Sequence, residues 1–153
     1  MKNIDSFLVN HLTLQSGLYV SRRDRHNGVT VTTFDLRLTR PNVEQPIDTG
    51  TMHTIEHLGA TYLRNSNRSA DIVYFGPMGC RTGFYLLMFG ELNSTDVFDL
   101  VIDMCKFIVQ YEGDIVGATP RECGNYSDQN LSSAIIYANQ YMQSLIDNKR
   151  LSY

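Results

Sequence analysis

The sequence predicts an α+β fold in which helices pack on a mostly antiparallel sheet. Three observations carry this expectation. A strand–turn–strand pattern runs from Leu18 to Arg40 around His26-Asn27-Gly28, whose chemistry is that of a hairpin turn. Two further apolar runs, Asp71–Phe75 and Phe84–Phe89, are joined by Gly76-Pro77-Met78-Gly79-Cys80 and read as buried strands. Helical periodicity appears in separate segments rather than in regular alternation with strands, which favours helices layered on a sheet over a parallel doubly wound fold. With 153 residues and no internal repeat, low-complexity tract or linker, residues 1–153 are expected to form one domain. A chain of this size buries roughly 68–70% of its unfolded surface and needs no disulfide or metal staple to build a core.

Taken in order, Leu18–Arg22 is the first strand and Val29–Arg40 its hairpin partner. In the second strand Val29 and Val31 stand at odd positions and Phe34, Leu36 and Leu38 at even ones, so a bulge near Thr32-Thr33 is expected to restore the alternation. Pro41-Asn42 ends that strand, and Pro46 lies in the following loop. A helix is expected from Thr49 to Asn65, with Asp48 or Thr49 as cap and Met52, Ile55, Leu58, Tyr62 and Leu63 at helical spacing. Gly59 and Ala60 within it would let another element approach closely. The next helix is capped by Ser94, Thr95 or Asp96, buries Val97, Leu100, Val101, Met104, Cys105 and Ile108, and closes at Gly113. The last spans Leu131–Asn148, with Leu131, Ala134, Ile135, Ala138, Met142 and Leu145 on one face.

Composition narrows the function. Apolar residues make up 42% and charged residues 19%, which excludes a disordered or collagen-like chain. Thirteen Lys plus Arg against sixteen Asp plus Glu leave a net charge of -3, with no basic surplus to neutralise a phosphate backbone, so nucleic acid is not an expected partner. No run approaches the roughly 20 apolar residues of a membrane span, and Met1-Lys2-Asn3-Ile4-Asp5-Ser6 lacks the apolar core of a signal peptide. Three scattered cysteines, Cys80, Cys105 and Cys123, do not make a disulfide framework and point to the reducing cytoplasm.

The segment richest in chemistry is His53-Thr54-Ile55-Glu56-His57. On a helix, residues four apart are stacked with about 6 Å of rise between them. Two imidazoles so placed can converge on one divalent ion, with Glu56 beside it as a general base. This is the H-x-x-E-H order of inverzincins; the plain alternative is a polar helix face with solvated histidines. A catalytic site needs a third ligand and one open position, and either a carboxylate or a thiolate can supply the ligand. Cys123, beside Gly124 in the stretch before the last helix, is the thiol candidate. A His/His/Cys set suits zinc, iron(II) or cobalt and disfavours magnesium or calcium.

Cys80 is the second informative thiol. It sits among Gly76, Pro77, Gly79 and Gly83, in a turn whose amides can approach a ligand, with Arg81 adjacent to favour the thiolate. A tight turn with an incidental cysteine is the competing reading. Cys105 lies on an apolar helix stripe and reads as core.

Taken together, His53-Thr54-Ile55-Glu56-His57-Leu58, Gly76-Pro77-Met78-Gly79-Cys80-Arg81-Thr82-Gly83-Phe84 and Glu122-Cys123-Gly124-Asn125-Tyr126 make the chain resemble the S-ribosylhomocysteine lyase (LuxS) family, from Ser6 to the last helix. The resemblance implies a two-layer α+β sandwich and a homodimer with active sites at the interface. It further implies one iron(II) per subunit, replaceable by zinc or cobalt, and cleavage of S-ribosylhomocysteine to homocysteine and 4,5-dihydroxy-2,3-pentanedione, the autoinducer-2 precursor. By the same resemblance His53, His57 and Cys123 match metal ligands, Glu56 and Cys80 match acid/base groups, and Ser6, His11 and Arg37 match substrate contacts. One departure is Tyr74, where several relatives carry Asp. A metallopeptidase built on the H-x-x-E-H helix would leave Cys80 and Cys123 without roles. A purely structural metal site would want a fourth protein ligand.

Overall fold

A computed structural model describes the backbone of residues 5–153 and the side chains from 7 onward. A short helix α1 (Asp5–Leu8) leads into the hairpin β1 (Gly17–His26) and β2 (Val29–Arg37). There follow α2 (Thr49–Asn65), a 3-10 turn at Ser69–Asp71, β3 (Ile72–Pro77), β4 (Gly83–Phe89), α3 (Ser94–Val109) and α4 (Leu131–Asn148). The four strands form one antiparallel sheet in the order β1-β2-β4-β3. With α2, α3 and α4 it makes the expected α+β sandwich.

The register explains the layering. Leu36 pairs with both Leu18 and Phe84, and Phe34 with Leu86, so their side chains share the face that α2, α3 and α4 cover. Those residues join Ile55, Leu58, Val101, Met104, Cys105, Ala138 and Leu145 in one buried cluster. The opposite face carries Tyr19, Thr33, Asp35, Arg37, Tyr85 and Leu87.

The bulge falls elsewhere than the alternation implied. β2 runs in unbroken register with β4 from Val31 to Arg37, and the shift lies on β1, between Val20 and Arg22. Val29 and Val31 therefore face the side away from the helices. The period-2 reading assumed one wet face, whereas β2 is buried on both from Thr32 to Arg37. β1 is also longer than expected, reaching His26.

The helices follow their capping chemistry. Asp48 caps α2, accepting from Thr51 N at 2.9 Å and from Thr51 Oγ1 at 2.6 Å, and these bonds hold its carboxyl below the usual range. Gly59 is required by packing, because a Cβ there would lie 2.5 Å from the Phe75 ring and 3.2 Å from Met104 Sδ. α3 is capped by Asn93, one residue before the expected candidates, and Asp96 Oδ2 accepts from the Asn93 backbone N–H at 2.7 Å. The helix ends at Val109, and Gly113 supplies a positive φ of 93° in the turn beyond. α4 has the expected bounds, but Tyr141 rather than Ile135 or Met142 completes its buried face, and Tyr141 Oη donates to Gly17 O at 2.9 Å.

Candidate metal centre

The N-cap at Asp48 starts α2 so that His53, Glu56 and His57 emerge on its partly exposed side, opposite Ile55 and Leu58. The long connection between α3 and α4 folds back across that surface. It is pinned there by Asn130 N, which donates to Thr54 Oγ1 at 2.8 Å, and by Thr54 Oγ1, which donates to Gln129 Oε1 at 2.8 Å.

This connection fixes both imidazoles. His53 Nδ1 faces the Asp128 carbonyl oxygen at 2.9 Å, with the Gln129 side-chain amide 3.2 Å from the same nitrogen. His57 Nδ1 faces the Val116 carbonyl oxygen at 2.8 Å. A carbonyl can only accept, so each Nδ1 carries its proton and each Nε2 presents a lone pair. Gly117 makes the second contact possible: its φ is +75°, and a Cβ there would press to 3.2 Å from His57 Nδ1.

The two Nε2 atoms lie 3.0 Å apart, and Cys123 Sγ is 3.3 Å from that of His53. All three ligand atoms fall within 4.8 Å of one another, the one such His/Cys/Asp/Glu cluster among the described residues. Two imidazole lone pairs and a sulfur pointing at a common centre repel one another unless a cation lies between them. The set therefore fits a borderline-soft divalent ion and leaves a coordination position open. Carbonyls holding the far ring nitrogens are the outer support that metal-ligating histidines ordinarily have.

Glu56 Oε2 lies 3.9 Å from His57 Nε2. Glu56 and His53 line a cleft of about 420 Å³ whose other wall is Pro77 at the end of β3 and Met78, Gly79 and Arg81 of the β3–β4 loop. Cys80 sits between two of those lining residues, with Sγ 3.1 Å from Thr82 Oγ1 and 3.8 Å from Arg37 Nη1. Burial pushes this thiol up, but hydrogen bonds from Thr82 and the charge of Arg37 outweigh it, and the net shift is downward. Cys105, by contrast, is buried in the core and pushed up to about 12 by desolvation. All three cysteines are free.

Arg37 is buried, and most of its donors are engaged within the chain. Nε and Nη2 grip Asp35 at 3.1 and 2.6 Å, and Nη1 donates to Thr82 Oγ1 at 2.6 Å. His11 lies outside this cluster, in the segment before β1, its Nδ1 donating to Val9 O at 2.8 Å. The side chain of Ser6 lies outside the described residues. Tyr74 is half exposed on the sheet face away from the helices.

Sequence reasoning missed Thr82, Asp35 and the carbonyls of Asp128 and Val116. Asp35 and Arg37, charged at i and i+2 between Phe34, Leu36 and Leu38, were the available signal: opposite charges on one face of an apolar strand. Backbone carbonyls leave no such trace.

A sheet covered by helices, with a His/His/Cys cluster able to hold a metal ion beside a cleft, has the layout of a small metal-dependent enzyme. The family model for S-ribosylhomocysteinase (LuxS) matches residues 4–152, and the chain belongs to that family. It is 52% identical over 157 residues to the S-ribosylhomocysteine lyase of Clostridium acetobutylicum, covering 100% of this chain and 99% of that one. It is 50% identical over 150 residues to the lyase of Finegoldia magna, covering 98% and 96%. To that of Borreliella afzelii it is 47% identical over 156 residues, covering 100% and 99%.

Proposed function

We propose that this chain is an S-ribosylhomocysteine lyase, a carbon–sulfur lyase releasing homocysteine and 4,5-dihydroxy-2,3-pentanedione, the autoinducer-2 precursor. The observation that carries the reading is the convergence of His53 Nε2, His57 Nε2 and Cys123 Sγ beside a cleft bounded by Glu56 and the Cys80 loop, in a chain of this family. These three residues hold the metal, which we take to be iron(II), one per subunit, with zinc or cobalt able to substitute. When bound, such an ion supplies Lewis acidity toward the oxygens of the sugar.

The remaining chemistry is proton transfer by this chain's own side chains. The bond from C5 to sulfur breaks by β-elimination, which requires a C4 proton made acidic by a carbonyl at C3. The sugar starts with its carbonyl at C1. Moving it takes a proton from C2 and returns one to C1, then takes one from C3 and returns one to C2, the hydroxyl protons shifting in step. Glu56 from α2 and Cys80 from the opposite loop take and return these protons, each transfer contributing about 10²–10⁴-fold. A thiol whose pKa is lowered can serve as thiolate base and hand the proton back as thiol. Glu56 then removes the C4 proton, the C4–H electron pair forms a C4–C5 double bond, and sulfur leaves C5 as homocysteine. The resulting enol takes a proton at C5 and loses one from its hydroxyl to give the dione.

Ser6, His11 and Arg37 contact the substrate in this reading, Arg37 next to Cys80. The sheet face away from the helices supports a homodimer: Val29, Tyr74 and Phe89 lie on it, 50%, 51% and 47% exposed. We also read residues 1–153 as one lyase domain, on the evidence of its continuous core, and as cytoplasmic, on its three free cysteines. Among the described residues no helix is long and apolar enough to cross a membrane. The test is to incubate S-ribosylhomocysteine with anaerobically purified, iron-loaded protein and identify both products by mass spectrometry. Bound metal without either product would refute the assignment.

A further inference from the structure

The geometry points to Thr82 as the residue that positions Cys80 and holds its sulfur as a proton acceptor, through a hydroxyl whose single proton has only that direction left to it. This inference deepens the lyase reading and rests on the assignment of Cys80 as a proton-transfer group.

The β3–β4 turn brings the two residues together. Met78 N donates to Gly83 O and Arg81 N to Met78 O, both at 2.9 Å, closing the β3–β4 connection tightly. Arg81 takes a positive φ of 57°, a left-handed conformation that L side chains rarely adopt. The reversal folds Thr82 back under Cys80 and points the Arg81 carbonyl at Ile47 N, 2.9 Å away.

Hydrogen-bond polarity then decides the role. A guanidinium has donors and no acceptor, so the 2.6 Å contact from Arg37 Nη1 makes Thr82 Oγ1 an acceptor. The hydroxyl keeps one proton to give, and its remaining polar neighbour is Cys80 Sγ at 3.1 Å; toward a thiolate, which only accepts, Thr82 is the donor. Thr82 is 5% exposed and Arg37 3%, so water does not compete for the bond between them, while Cys80 itself is exposed and open to reagents. Asp35 anchors the far end: both carboxylate oxygens hold Arg37, and Oδ2 also accepts from Tyr153 Oη at 3.0 Å. The groups facing the thiol are thus Arg37 from β2, with Asp35 behind it, and Tyr85 from β4. Arg37 Nη1 itself stands 3.8 Å from the sulfur, so the shorter bond to sulfur is the one from Thr82.

The test is the rate of iodoacetamide alkylation at Cys80 against pH, read by peptide mass spectrometry on metal-loaded protein, beside the pH profile of kcat. Thr82→Val keeps the β-branched shape and removes the hydroxyl; Thr82→Ser keeps the hydroxyl and removes the methyl. We expect the Cys80 midpoint to rise by about one pH unit in Thr82→Val, a roughly tenfold loss of thiolate below the midpoint. The acid limb of kcat should move with it, and Thr82→Ser should keep the wild-type midpoint. An unmoved midpoint in Thr82→Val, or a Thr82→Ser shift as large as that of Thr82→Val, would overturn the inference. Full turnover by Cys80→Ala, with the Thr82→Val shift intact, would instead overturn the lyase role of Cys80 and leave the hydrogen bond standing.

Discussion

Cys123 Sγ lies 3.3 Å from His53 Nε2, although the two residues are 70 positions apart in the chain. Neither α2 nor the loop makes this contact alone. It depends on the connection that crosses α2, lends the Asp128 and Val116 carbonyls to the two imidazoles and ties Asn130 to Thr54.

If the three residues are the ligands, losing one should release the metal without unfolding the chain, whose core lies on the other side of α2. We expect His53→Ala or Cys123→Ser, purified anaerobically, to fall at least about tenfold in metal affinity. Competition with a chelator measures this, and circular dichroism checks the fold.

Gly117 should act as an outer support of the same site. Gly117→Ala sets a side chain against His57 Nδ1 on a backbone with φ +75°. Metal affinity should drop about 10–100-fold while the strands and helices persist, again measured against a chelator.

The site's debt to loop carbonyls and to Thr82 marks where the sequence was silent. α2 was legible to the residue because Asp48 and the periodic apolar positions specify it, and α4 kept its expected bounds. His53 and His57 were legible because helical spacing alone brings them together. Val29 and Val31 belong to an apolar face outside the helix layer, so the parity change at Thr32-Thr33 marks a strand buried on two faces rather than a bulge. The cap at Asn93 is hidden in the sequence because Ser94, Thr95 and Asp96 beside it also cap helices well. Thr82 stood in plain view beside Cys80, but only the fold brings Arg37 across from β2 to fix the direction of its hydroxyl.

The Asp35–Arg37 pair is buried on both sides, with side chains each 3% exposed. Arg37→Met strands a buried carboxylate and should lower stability by about 3–5 kcal/mol. Adding Asp35→Leu should recover part of that loss. Urea unfolding of the single and double variants tests both statements.

Alkaline pH should weaken the fold through its buried acids. In the unfolded chain a cysteine titrates near ~8.5, while burial pushes the Cys105 thiol up to about 12. Below roughly pH 8.5 both states keep the proton and the contribution to stability is fully present. As pH rises further the unfolded chain ionises first, and stability falls until the folded thiol titrates. Tyr141, raised by desolvation, acts in the same direction. Urea midpoints should fall steadily across this window, and less steeply in Cys105→Ala.

The most direct measurement of the central claim is thiol release from S-ribosylhomocysteine by wild type, Glu56→Gln and Cys80→Ala at matched metal content. We expect rapid release by wild type, loss on metal removal, and variants slower by about 10²–10⁴-fold. Near-normal release by either metal-loaded variant would contradict the assignment of Glu56 and Cys80 as the groups that move the protons.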